Sequence, residues 1–274
     1  MVSNSQSLNY FKPDNQYSHG LSLYEYVSSN PVIGIDPSGL KKEDPSYQLY
    51  GPVPQERASD DGTWNTGPAW RKALLGCYLQ HNWNYAYILS GTWDLLGWRD
   101  AAYYMRNYLN ERGWGIVADY PRMLRDSKDA RKVFMKDLKI ALTEAEKLVD
   151  SSDPQPKQIT SVMMLGNEGV EDDMNWRLAI HSYYSWGRGY VTKGKGRKSC
   201  CYRMSWTHHI SDVFDFKRNE AFALWQLNYY GWAKYFRVKG KHEISVTWIK
   251  GYRFDREDPL AVVEGRLLVF SQCQ

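Results

Sequence analysis

The sequence predicts an α+β fold, an N-terminal helical layer followed by an antiparallel twisted sheet with one helix packed on it. Three observations carry this. From Ala69 to Gly113, and again from Asp126 to Val149, apolar residues recur every three or four positions. From Trp176 onward the runs become rich in aromatic and β-branched residues around a Gly-rich basic tip. Between the two regimes stands "SSDPQP", a cluster of turn-forming residues that ends the helical half.

Taken in order, Pro68 suits the first turn of a helix, since its missing N–H costs nothing there. The stretch from Ala69 to Gly113 reads as two helices interrupted near Ser90-Gly91. A third helix spans Asp126 to Val149, with Val133, Leu138, Ala141, Ala145 and Leu148 along one side and charges on the other. "WRLAIHSYYSWGRGYV" and "SCCYRMSWTHHISDVF" flank the basic tip "TKGKGRK" and read as a long antiparallel hairpin. Asn219 to Phe236 reads as an amphipathic helix, capped by Asn219 and carrying Phe222, Trp225, Tyr229 and Trp232 on one face. "HEISVTWIK" alternates as a strand, and "LAVVEGRLLVF" is a candidate last strand.

The 274 residues suffice for a large core, and 43% hydrophobic with 24% charged residues is a globular composition. Twelve Trp and 21 Tyr supply amphipathic side chains that serve cores and contact surfaces alike. A net charge of +4 does not call for a nucleic-acid partner, but its distribution is uneven. No acid lies between Met174 and Ser211, where Lys193, Lys195, Arg197 and Lys198 cluster; these four are expected to steer anions. The cysteines, Cys77, Cys200, Cys201 and Cys273, form no paired C-x-x-C set, so they are expected to be free thiols. "MVSNSQSLNYF" lacks the features of a secretion signal, and no apolar run approaches the roughly 18 residues of a membrane span.

The segment Gly20–Leu40, "GLSLYEYVSSNPVIGIDPSGL", resembles the end of the core of Rhs (YD-repeat) proteins, where a "G-L-N-L-Y-x-Y-V-x-N-N-P" phrase leads into "D-P-x-G-L". The resemblance implies three parts: a remnant of an Rhs core over residues 1–40, a linker over 41–67 dense in Pro, Gly, Asp and Ser, and a variable tip over 68–274. In that family the motif marks an autoproteolytic cut, which here makes Asp36, Pro37, Gly39 and Leu40 the processing motif and Lys41 the first residue released. Too few residues precede Lys41 to form a shell, and the second acid of the cut is expected upstream. Full-length chain is therefore expected to stay intact, with Asp36 a turn residue before Pro37. The tip of such proteins is commonly a toxin directed at a competing cell and held in check by a cognate immunity protein.

Chemistry is most concentrated in "HHISDVFDFKRNE", which gathers His208, His209, Asp212, Asp215, Lys217 and Arg218. His209, Asp212, Asp215 and Arg218 are the candidate catalytic residues, able as a set to move a proton or grip a phosphate. On an extended strand His208 and Asp212 share a face roughly 13 Å apart, too far for one metal, and no metal site is expected. Ile210–Gly240, with "DVFDF" and "LNYYGWAKYFRVKG", resembles tips of polymorphic toxins of unassigned activity. Asp212 and Asp215 are similar in spacing to the Asp-x-Tyr-Asp acids of colicin-M-type bacteriocins, with Phe214 in place of Tyr; that family hydrolyses a lipid-linked peptidoglycan precursor and needs a divalent ion. No Ser-His-Asp order, H-E-x-x-H or phosphate-binding loop occurs. Two readings follow. One is an antibacterial effector acting on an anionic envelope or phosphate-containing target, with the cofactor unspecified. The other is a module that binds carbohydrate or protein through its aromatic surface.

Overall fold

The computed structural model describes residues 46–54, 76–110, 113–149, 155–194, 200–219, 221–252 and 258–265. Its elements run β1 (Tyr47–Leu49), α1 (Gly76–Leu95), α2 (Arg99–Leu109), β2 (Ile116–Val117), α3 (Tyr120–Asp126), α4 (Lys128–Leu148), β3 (Lys157–Ser161), β4 (Leu165–Gly169), α5 (Met174–Ala179), β5 (Ser182–Lys193), β6 (Cys201–Phe214), α6 (Phe222–Tyr229), β7 (Phe236–Ile249) and α7 (Pro259–Val263). The fold is α+β as the sequence predicts. Five of the described helices precede the three long strands, which form the centre of a seven-stranded sheet of order β1-β3-β5-β6-β7-β2 with β4 also on β5. All pairings are antiparallel except β2 on β7.

The predicted helix break at Ser90-Gly91 does not occur. Ser90 is buried and returns its hydroxyl to the Tyr87 carbonyl at 2.7 Å, so the local polar group is satisfied inside a continuous helix. The break comes later, at Gly97. There Trp98 N–H donates to Trp93 O and Gly97 N–H to Asp94 O, with Gly97 at φ 83°, a Schellman ending that only glycine adopts without strain. The same device shortens the helix predicted over Asn219–Phe236. Gly231, at φ 80°, closes α6 through Trp232 N–H to Leu227 O and Gly231 N–H to Asn228 O. Asn219 lies in the preceding turn, and the cap position is Ala221, without a side-chain bond. The residues released from the helix extend β7 back to Phe236, well before the strand read from "HEISVTWIK".

Three further readings are corrected. Trp176–Ala179, read as the start of the hairpin, are helical, because Asp173 caps Trp176 N–H at 2.9 Å and the strand begins only at Ser182. Leu260–Val263, read as strand, are helical because Asp258 caps Leu260 N–H and Pro259 occupies the first turn, and Glu264 and Gly265 form the turn that follows; residues 266–270 of that predicted strand lie outside the described residues. Cys77 and Cys200 are free thiols, whereas Cys201 is in a disulfide whose partner lies outside the described residues. Part of the predicted linker is also structured, since Tyr47–Leu49 pair with β3.

The core lies between α4 and one face of the sheet, the inward face. Along β6 the even-numbered residues Tyr202, Met204, Trp206, His208, Ile210 and Phe214 are buried, as the two-residue period of a half-covered strand requires. Phe134 of α4 meets Trp206 and His208 edge-on, at ring distances of 5.3 and 5.4 Å. Glu146 at the other end of α4 accepts from the Trp248 indole at 2.9 Å. Gly187 on β5 makes room for this layer, because a Cβ there would collide with the Tyr47 hydroxyl and the Trp206 ring.

Candidate functional site

The candidate cluster is divided by the pleat of β6. Asp212 shares the inward face with His208 and Ile210, while His209 points outward. Asp215 directly follows the strand end, and Arg218 lies in the turn beyond it.

On the inward face, four side chains that lie far apart in sequence form one sealed polar chain. The Tyr47 hydroxyl donates to Asp137 Oδ1 at 2.9 Å. Asp137 Oδ2 lies 3.0 Å from His208 Nε2, with both side chains fully buried. His208 Nδ1 lies 2.8 Å from the Tyr120 hydroxyl. Burial, with the Asp137 charge in support, pushes the Tyr47 hydroxyl well above its ordinary range; burial raises Tyr120 likewise, with Tyr183 the next cause. A chain closed to water fixes how α4 sits on the sheet and offers no group to a substrate.

Asp212, farther along the same face, is kept differently. It is half-buried, and its carboxyl accepts a backbone hydrogen bond from Val213. Burial, then the nearby Asp215 charge, pushes that carboxyl well above the usual 3.8, against the weaker pull of Val213 and Lys217. On the helical side the Tyr104 hydroxyl of α2 feels the same charge. Burial first, then Asp100 and Asp212, raise it, while Arg122 pulls it down. Arg122 is itself fixed: it pairs with Asp100, lies 4.0 Å from Asp119, and sets its guanidinium 5.1 Å over the Trp176 ring. Asn175 completes the frame, donating to Asp100 Oδ2 at 2.7 Å and accepting from the Asp100 and Ala101 N–H groups at 2.9 and 3.2 Å. Two acids within electrostatic reach, one disposed to hold its proton, can act as proton donor and proton acceptor.

The other candidates sit elsewhere. His209 stacks on Trp186 at 4.9 Å and 12° on the outward face, where burial, then His208, Lys241 and Arg188, lower its pKa to about 4. Arg218 lies 5.4 Å over Trp225. The structure thus keeps Asp212 with Asp215 and separates His209 from them. Lys193 ends β5 with its ammonium 5.5 Å over the Tyr202 ring. Lys195, Arg197, Lys198 and the motif Asp36, Pro37, Gly39 and Leu40 lie outside the described residues. Sequence reasoning missed Tyr104, Arg122 and Asp100, since nothing local ties α2 and α3 to the end of β6.

The outward face of β5–β7 forms a second polar surface. Across it run the register rows Trp186, His209, Lys241 and Arg188, Thr207, Glu243, with Tyr190 and Arg203 exposed toward the hairpin tip. Lys241 and Glu243 pair at 2.8 Å. Among the described residues no group of three or more His, Cys, Asp or Glu could hold a metal ion. Nor is any described helix long and apolar enough to cross a membrane. No family model, no curated protein and no solved structure matches the chain.

Proposed function

We propose that the chain is the effector tip of an Rhs-type protein and an acid–base hydrolase of an anionic, phosphate-containing or envelope target, with Asp212 the proton donor and Asp215 the base. The observation that supports this reading is the half-buried Asp212 carboxyl, raised in pKa beside a second acid and held at the end of β6 rather than sealed in the core. In such a reaction Asp215 takes a proton from the attacking water and Asp212 gives its own to the leaving oxygen. The basic hairpin tip, with Lys193 at its base, steers the target by long-range charge screened beyond about 8–10 Å. A cognate immunity protein is the expected natural inhibitor. The test expresses the full chain on either side of the inner membrane of a test bacterium. Growth arrest is expected for the parent, and its loss for Asp212→Asn and Asp215→Asn with no fall in melting temperature. A fully toxic double variant overturns the catalytic assignment.

A second reading, a module that binds carbohydrate or protein, is favoured by the outward face, where exposed Tyr190, Arg203 and Lys241 lie on the same side of the sheet. A chain without toxicity on either side of the membrane that binds cell-wall material supports it over the first.

A further inference from the structure

Helix α1 buries only a narrow stripe, Leu79, Ala86, Ser90 and Trp93. The opposite side carries Tyr78, His81, Tyr85, Ile88, Thr92 and Leu95, spaced alternately by three and four residues, and all six are exposed. That spacing is the a/d repeat of a helix that packs along another helix. The exposure is large for such side chains, 52% for Tyr85, 67% for Ile88 and 90% for Leu95. No Lys, Arg, Asp or Glu occurs from Gly76 to Trp93, so no charge solvates this side. At about 100 Å² for each half-exposed large side chain, the patch is roughly 500 Å², near the upper limit for a monomer's surface.

We propose that two copies of the chain pair antiparallel through this side of α1. The sequence is self-complementary in that arrangement. With a two-fold axis between Ala86 and Tyr87, Tyr78 meets Leu95 of the second copy, Tyr85 meets Ile88, and His81 meets Thr92. Apolar residues face apolar residues, and the polar layer faces itself. Thr92 brings no orphan donor, because its hydroxyl already donates to Ile88 O at 3.2 Å. A charged partner protein would find no opposite charge on this surface, and a membrane-surface helix would carry Lys or Arg beside its apolar face. A second copy supplies an equally uncharged surface. Together the two bury on the order of 1,000 Å², the low end for specific interfaces, so the pairing is reversible and concentration-dependent. The proposal does not rest on the Asp212 assignment.

Sedimentation velocity on the full chain tests it. The mass is expected to rise with concentration from 32.0 kDa to twice that value. Tyr85→Glu and Ile88→Glu are each expected to hold the chain at the monomer mass, with unaltered circular dichroism because both side chains are exposed. A monomer at every concentration overturns the proposal, as does a dimer indifferent to both substitutions. Orientation is read in a Cys77→Ser, Cys200→Ser background. There Tyr78→Cys combined with Leu95→Cys is expected to give a covalent dimer on oxidation, and Tyr78→Cys alone is not. Cross-linking by Tyr78→Cys alone shows a parallel pair and overturns the antiparallel one.

Discussion

Asp137 and Asp212 meet the same face of the same sheet and are treated in opposite ways. Asp137 projects from α4 into a sealed layer, where Tyr47 donates to one oxygen and His208 Nε2 lies 3.0 Å from the other. Asp212 projects from β6 itself and has a backbone N–H for company and Asp215 as a like-charged neighbour. A carboxyl with matched partners holds the fold together, and one left under-matched keeps chemical potential for work on a substrate. The contrast separates a structural acid from a candidate catalytic one without reference to any other protein.

The largest effect should come from breaking the sealed chain. Asp137→Ala removes the shared partner of Tyr47 and His208 and leaves both polar groups buried without it. It is expected to destabilise the fold by about 3–5 kcal/mol, read as a lower urea midpoint at unchanged slope. A loss below about 1 kcal/mol would mean that the layer is not as closed as its burial indicates.

Asp212→Asn is the matched experiment at the other site, where no loss of stability is expected at neutral pH because the variant has no carboxylate to bury. The sign of its pH dependence is the sharper test. The folded-state value lies above the ordinary 3.8, so the acid's contribution is fully present below 3.8 and is lost as pH rises through the raised value. The difference in urea midpoint between parent and Asp212→Asn should therefore shift in the variant's favour as pH is raised from that region. A constant difference would place Asp212 in water and weaken its assignment as proton donor.

The smallest effect belongs to His209, on the other side of β6. Its value is lowered from 6.5 to about 4, so its contribution is present above 6.5 and is lost as pH falls toward 4. His209→Gln should flatten the stability profile in that window by less than about 1 kcal/mol, because water screens a partly exposed group. A larger change would show that the Trp186 stack is more enclosed than the outward face allows.

The α+β order, the long hairpin and the buried stripe of α4 were legible because each rests on local periodicity. Val133, Leu138, Ala141 and Ala145 are buried as their spacing predicts. The helix ends were misread where a Schellman glycine or an Asp-Pro cap outweighed the apolar pattern around it, and Gly97, Gly231 and Asp258 were the available signals. Asp137 also left a trace, a lone acid between Phe134 and Leu138 on an otherwise apolar stripe. Its partners did not. Tyr47 stands 90 residues away, in a stretch whose Pro and Gly content hides a three-residue strand, and only the sheet order brings it over α4. The cluster around Asp212 was half legible for the same reason, since β6 and the residue after it supplied its acids and the distant α2 and α3 supplied Tyr104 and Arg122.

The strand order carries a consequence for the behaviour of the chain in a crowded solution. Along the principal order, the 12- and 14-residue strands occupy the middle, and the outermost positions fall to β1 and β2, with three and two residues. β1 and β2 are too short to template an incoming strand themselves, but β2 covers only Val238 and Lys239 and leaves the rest of that side of β7 without a strand neighbour among the described residues. β5 and β6 are flanked by strands on both sides, so their aromatic residues sit away from any margin. Among the described residues the length of β7 beyond Lys239 is therefore where this sheet can take an added strand, beside the surfaces offered by its outward face and its helices.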